Sequence, residues 1–196
     1  MKNKYMLNIS RININICVVK YHLYMYVRNR VFCGLSERID FMSMKFSALL
    51  KTEAGVISIT EEDGKISGIE IGAPIVSFFM AETPLLKEAK KQLSEYFAGK
   101  RKSFDLPLKL EGTDFQLSVW NALKDIPYGE TRTYKQTAEM AGCPGSYRAV
   151  GTANGKNPIP IIIPCHRVVA SDGSLSGYAL GTEFKKYLLE LEAKNA

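Results

Sequence analysis

Apolar and polar positions first fall into a regular pattern at Lys45. Lys45 to Thr52, Val56 to Glu61 and Ile66 to Ile71 read as three strands, and Asp63-Gly64 between the last two is a favoured hairpin turn. The period then lengthens. Thr83-Pro84 opens a helix with Leu85, Leu86, Ala89, Leu93, Tyr96 and Phe97 on one side, ended by Gly99. A linker, Lys100 to Glu111, follows, with Pro107 favouring extended backbone.

Beyond it, Thr113-Asp114-Phe115-Gln116 is a capping box starting a helix that turns Phe115, Val119, Trp120 and Leu123 to the core and stops at Ile126-Pro127-Tyr128-Gly129. From Thr133 to Asn154 a short helix, a Gly/Pro turn and a second short helix with Ser146 as N-cap make a helix-turn-helix. Ala149, Gly151 and Ala153 leave the second of these bare, fit for close approach of a duplex or for plain helix packing. Ile161-Ile162-Ile163 reads as a buried strand ending at Pro164, and Asp172-Gly173 as a turn. A last helix begins near Thr182. In it Phe184, Leu188 and Glu192 fall four apart, setting a carboxylate on or beside an apolar stripe completed by Tyr187 and Leu191.

These elements divide the chain into an atypical extension over 1–43, a small α/β domain with its linker over 44–111 and a mainly helical domain over 112–196. The extension is rich in Asn, Ile, Tyr and basic residues without clean periodicity, and Met44 is the expected natural start. It also carries most of the charge. Of the formal +6, residues 1–43 hold +5, from seven Lys/Arg against Glu37 and Asp40, leaving +1 for 44–196. A DNA partner therefore has to be argued from motifs and not from the overall field. The four cysteines, Cys17, Cys33, Cys143 and Cys165, have no Cys-x-x-Cys spacing, so a reducing, cytoplasmic setting is expected. Cys17, His22 and Cys33 match no standard zinc pattern, so no metal is expected. Neither a signal peptide nor a membrane span is read in the chain.

Candidate chemistry centres on Pro164-Cys165-His166, a potential nucleophile beside a potential base on a segment stiffened by Pro158, Pro160 and Pro164. Taken alone, Cys165 reads more readily as a packing residue than as a nucleophile. Glu192 has two readings too: a solvated residue at the stripe's edge, or the carboxylate that orients His166. Trp120 and Tyr128 read as packing residues ahead of base-stacking ones, and Arg132 and Lys135 as a solvated face by default, with phosphate contact the alternative.

From Gly112 to about Asn195 the chain resembles the methylated-DNA-protein-cysteine methyltransferases, the O6-alkylguanine-DNA alkyltransferase family. Six elements carry the resemblance, in order: Tyr134; Arg148; Asn157 with Pro158-Ile159-Pro160; Pro164-Cys165-His166-Arg167-Val168; Gly177-Tyr178; and Lys185 to Glu192. The resemblance implies a ribonuclease-H-like sheet plus helix in the first domain and a winged-helix-like helix-turn-helix in the second. It implies transfer of an alkyl group from O6 of guanine in double-stranded DNA to Cys165, with O4-alkylthymine a further candidate, by a monomer without cofactors that is consumed in one turnover. His166 is then the base acting through a water, Glu192 holds its tautomer, Tyr134 donates a proton to the departing guanine, and Asn157 braces the Cys165 segment. The substrate-facing set is Ser146, Arg148, Ala149 and Gly151 of the helix-turn-helix, with Val168, Tyr178 and Ala179. Arg148 fills the space of a flipped nucleotide, while the carbonyls of Cys165 and Val168 read the guanine amino group. Ala179 departs from members that carry serine there, which bears on the preference for larger alkyl groups. Competing classes fare worse: non-catalytic relatives replace the cysteine, a hydrolase needs an oxyanion hole that the sequence does not offer, and a regulator needs a sensor or dimer region.

Overall fold

Asp63 (φ 54°) and Gly64 (φ 72°) are both left-handed, as a tight hairpin connection requires, and they turn β2 (Gly55–Glu62) back into β3 (Lys65–Ile71). The structure, a computed structural model, describes residues 45–72, 79–175, 178 and 180–196. The expected extension, Met44, the Cys17/His22/Cys33 group, Gly177 and Ala179 lie outside the described residues.

The three expected strands form. β1 (Lys45–Thr52) pairs antiparallel with β2, from Thr52 opposite Gly55 to Lys45 opposite Glu62, and β2 pairs antiparallel with β3 with an irregularity at Thr60/Glu61. A fourth, β4 (Phe79–Met80), lies parallel to β1 and gives the order β3-β2-β1-β4. α1 (Pro84–Phe97) covers this sheet with Leu86, Ala89, Leu93 and Tyr96 fully buried. Each buried leucine contributes about 1.5–3 kcal/mol. Thr83 caps the helix by accepting the Leu86 N–H, and its own hydroxyl donates to buried Glu61.

The free edge of β3 positions the rest. Ile66 N–H donates to the Pro107 carbonyl and Lys109 N–H returns to Ile66, so the linker is laid along the sheet. Ile69 N–H donates to the Pro158 carbonyl at 2.9 Å, which ties the cysteine-bearing segment to the same strand.

α2 (Asp114–Lys124) starts at the expected capping box, with Thr113 and Gln116 bonded reciprocally, and buries Val119, Trp120 and Leu123. β5 (Arg132–Thr133) runs into α3 (Tyr134–Met140), and a turn leads to α4 (Tyr147–Gly155), completing the helix-turn-helix. Trp120 Nε1–H donates to the Ala153 carbonyl at 2.8 Å and fixes α4 on α2. β6 (Val168–Val169) pairs in parallel with β5, and α5 (Thr182–Asn195) closes the chain.

Two local expectations are corrected. Ile161-Ile162-Ile163 is a tight turn and not a strand: Ile163 N–H bonds back to the Ile159 carbonyl, and Ile161 sits at φ 75°. Prolines 158, 160 and 164 remove the donors a ladder needs, and folding the segment on itself buries Ile161 and Ile163 and leaves Ile162 half-buried. Ser146 occupies the N-cap position of α4, but its side chain makes no capping hydrogen bond at φ −87°, ψ 28°. No helix among the described residues is long and apolar enough to cross a membrane.

Candidate active site

The segment from Asn157 to Arg167 is built to hold one side chain still. Asn157 clamps it twice, donating from Nδ2 to the Ile163 carbonyl at 2.8 Å and accepting the Ile159 N–H at 3.0 Å. A left-handed β-branched residue costs on the order of 1–2 kcal/mol. Ile161 tolerates that conformation because its side chain is fully buried and the turn around it is closed by these bonds. Cys165–Arg167 then form one turn of 3-10 helix, with Asn154 Nδ2 donating to the Cys165 carbonyl at 3.2 Å.

Cys165 is 3% exposed, at the wall of a cleft of about 250 Å³ that is also lined by Ile69, Ile71, Asn157, Pro160, Tyr178 and Leu180. Burial pushes its thiol pKa up; hydrogen bonding with Asn157 and Tyr178 and the charge of Lys185 pull the other way. Its sulfur lies 3.9 Å from the Tyr178 hydroxyl.

His166 is fully buried and its Nε2 lies 2.8 Å from Oε1 of Glu192. A carboxylate only accepts, so Nε2 carries the proton. Nδ1 is left with its lone pair free and has no hydrogen-bond partner among the described residues. Burial lowers the His166 pKa against the pull of Glu192, so the ring is neutral and basic at Nδ1.

Glu192 is the most heavily bonded carboxylate of the site. Oε1 accepts from His166, from the Tyr96 hydroxyl at 2.7 Å and from Arg167 Nη2 at 3.0 Å, while Oε2 accepts from Arg167 Nε at 2.9 Å and Gly129 N–H at 3.1 Å. Burial alone raises its pKa, but the bonds from His166 and Arg167 prevail and hold it at about 2. Gly129 can serve because it has φ 77° and because a Cβ there would meet Ala196 at 2.7 Å. Arg167 also donates to the Ile126 carbonyl at 2.6 Å, and its guanidinium lies 5.7 Å from the Tyr128 ring centre. The arrangement is a buried thiol beside a neutral imidazole whose tautomer is fixed by an ionised carboxylate.

A family model described as "6-O-methylguanine DNA methyltransferase, ribonuclease-like domain" matches residues 45–110, and one described as "6-O-methylguanine DNA methyltransferase, DNA binding domain" matches 114–194. The methylated-DNA-protein-cysteine methyltransferase of Methanosarcina barkeri is 63% identical over 109 residues, covering 56% of this chain and 69% of that one. The constitutive enzyme of that name from Bacillus subtilis is 44% identical over 158 residues, covering 76% and 96%. The chain belongs to the methylated-DNA-protein-cysteine methyltransferase family. The crystal structure of Mycobacterium tuberculosis OGT in complex with DNA superposes with TM-score 0.70 at 40% identity, over 78% of this chain and 94% of that one. The expected fold, a ribonuclease-like sheet domain followed by a DNA-binding helical domain, is the fold of this methyltransferase, whose membership makes it a DNA-binding repair protein working by alkyl transfer.

In this methyltransferase Cys165, His166, Glu192, Asn157 and Tyr178 converge at one place. Tyr134 opens α3 half-buried, its ring 3.6 Å from where a Cβ on Gly151 would stand. Burial, then the nearby Cys165, raise its phenol pKa, so it stays protonated. Val168 is buried and its carbonyl accepts from Lys185 Nζ at 2.5 Å. Arg148 and Ala149 are exposed on α4, away from the buried cluster, and Ser146 is half-buried at its start. Trp120 and Tyr128 pack as expected, while Arg132 pairs with Glu130 at 2.8 Å.

Sequence reasoning gave no role to Arg167, Tyr96, Asn154 or the Nζ of Lys185. Arg167 carried a usable signal: a cation within an apolar run requires a buried partner, and Glu192 on an apolar helix face requires the same. Tyr96 carried none, since its place on the apolar side of α1 reads as core. Among the described residues no group of three or more His, Cys, Asp or Glu side chains is placed to hold a metal ion.

Proposed function

We propose that this methyltransferase transfers a methyl or larger alkyl group from O6 of guanine, with O4-alkylthymine as a second candidate substrate, in double-stranded DNA to Sγ of Cys165, once per molecule. The observation that carries the reading is the Glu192–His166 pair at 2.8 Å, which leaves Nδ1 as a free base next to a cysteine on the wall of a cleft.

The thiol proton passes through a water to His166 Nδ1, and the thiolate attacks the sp³ carbon. The S–C bond forms as the C–O6 bond breaks, and its electron pair leaves on the guanine, which takes a proton from Tyr134. Imidazolium is stabilised by Glu192 while it exists. The product thioether has no carbonyl for water to attack, so the protein is consumed.

An O6-alkyl group within a stacked duplex cannot be approached in line, so the nucleotide has to rotate out, at a cost of a few kcal/mol. In this reading α4 enters the minor groove, Ser146, Ala149 and Gly151 allow close approach, and exposed Arg148 fills the vacated stack. The carbonyls of Cys165 and Val168 meet the guanine amino group, Tyr178 and Ala179 border the alkyl group, and Asn157 braces the segment. Residues 44–111 and 112–196 act as the two domains of one cytoplasmic monomer that needs no cofactor.

The test is intact mass after mixing with excess duplex carrying one O6-methylguanine, followed by peptide mapping. One methyl on Cys165 and repair that stops at one equivalent is the expected result. Binding without a mass change means lesion recognition alone, and continued turnover with unmodified protein means a different mechanism. Cys165→Ala should bind the methylated duplex and transfer nothing.

A further inference from the structure

We infer that Tyr96, on the helix of the sheet domain, is a positioning residue for the alkyl transfer: its hydroxyl shares Oε1 of Glu192 with His166 and sets how much carboxylate charge the imidazole receives. This rests on the role of His166 as base given under the proposed function.

The geometry is specific. The Tyr96 hydroxyl donates to Oε1 at 2.7 Å and lies 3.5 Å from His166 Nε2, so phenol and imidazole converge on one oxygen. The ring cannot turn away, because it is fully buried against Phe97 and Phe104, each 5.5 Å away between centroids, and Tyr128 at 6.1 Å. Burial, then the charge of Glu192, raise the phenol pKa above its ordinary value, so the hydroxyl keeps its proton and donates. The contact joins residues 96 positions apart and brings a side chain of the sheet domain onto the carboxylate that holds His166.

Its effect follows from sharing. Each donor on a carboxylate oxygen draws off charge that the other donors would otherwise feel. With the hydroxyl gone, Oε1 keeps His166 and Arg167 alone, its bond to the imidazole strengthens, and imidazolium is favoured. A histidine that is already protonated cannot take the thiol proton. The other groups facing the pair are unchanged by such a substitution: Arg167 and the Gly129 N–H on Glu192, Lys185 on α5, Cys165 on the turn, and Tyr128 beside Arg167.

The experiment compares wild type, Tyr96→Phe and Phe104→Leu as full-length, unalkylated protein. The first readout is the pH midpoint of the acid limb of methyl transfer. The second is the Nε2 proton resonance of His166, which is one of only two histidines and is assigned against His166→Gln. Tyr96→Phe should move the midpoint up by on the order of half a pH unit and the proton downfield. Phe104→Leu loosens the same ring cluster while sparing the hydroxyl, and it should move neither. Should Tyr96→Phe not fold, 3-fluorotyrosine placed at position 96, a stronger donor, should move the midpoint down. If both readouts stay put when the hydroxyl is removed or strengthened, Tyr96 only packs and the inference is overturned. If wild type transfers no methyl to Cys165, the proposed function fails instead, while the Nε2 proton still reports on the shared oxygen.

Discussion

Nε2 of His166 and Oε1 of Glu192 lie 2.8 Å apart, both fully buried, although 26 residues separate them in the chain. The bond fixes the imidazole tautomer, and the same carboxylate neutralises Arg167. Glu192→Gln should therefore cost twice. Left with an uncompensated buried guanidinium, the fold should lose roughly 3–5 kcal/mol in urea unfolding. With His166 as the base under the proposed function, methyl transfer should fall by roughly 100-fold or more once the carboxylate charge that orients it is lost. An intact transfer rate in a destabilised protein would separate the two roles and assign Glu192 to the fold alone.

The parts of this arrangement that the sequence made legible are those written in local spacing. The Asp63-Gly64 hairpin, the Thr113/Gln116 capping box and the Cys165-His166 pair each lie within a few residues, and each forms. Ile161 to Ile163 misled because apolar β-branched residues signal burial, and a strand is only one way to bury them. The three prolines decided for a turn. β4 spans two residues whose pairing with β1 is set by the sheet and not by their own pattern. Tyr96, Arg167 and Lys185 act through bonds to distant partners, Glu192 and the Val168 carbonyl, and no spacing rule reaches so far. A buried charge with no local partner was the one clue available.

Stability should fall with acid in two stretches. The His166 pKa is lowered from 6.5 on folding, so below that value the unfolded chain takes up a proton that the folded one refuses. The Glu192 pKa is depressed from 4.5 to about 2, so its contribution is complete above 4.5 and is lost as pH drops from there toward 2. Urea midpoints followed across pH should show both declines, and His166→Gln should remove the upper one. A wild-type midpoint that does not change with pH below 6.5 would contradict the neutral buried imidazole.

Asn157→Ala tests the clamp behind the cysteine. The Ile159 N–H loses its acceptor, and the Ile163 carbonyl keeps only the Cys165 N–H, which should cost about 1–3 kcal/mol. Hydrogen bonding with Asn157 also holds the Cys165 thiol pKa down against burial, so the thiol should become harder to ionise. The pH midpoint of its reaction with a small thiol reagent should rise. A midpoint that stays the same while stability falls would make Asn157 a brace without influence on the sulfur.

Arg148 is exposed on α4, has no ion-pair partner among the described residues, and is joined to the buried cluster only through the helix that carries it. Trp120 holds that helix in place through the Ala153 carbonyl, so Arg148→Ala should leave the fold and the Cys165 site intact. Under the proposed function, what it removes is the side chain that fills the stack while the nucleotide is out. Repair of O6-methylguanine in duplex DNA should slow by roughly 10- to 100-fold, since each 1.4 kcal/mol of lost stabilisation of the flipped state is one factor of ten. Reaction with free O6-benzylguanine requires no flipping and should keep its rate. Equal losses on the two substrates would move Arg148 from the flipped state to the chemistry, and unchanged rates on both would remove it from the mechanism.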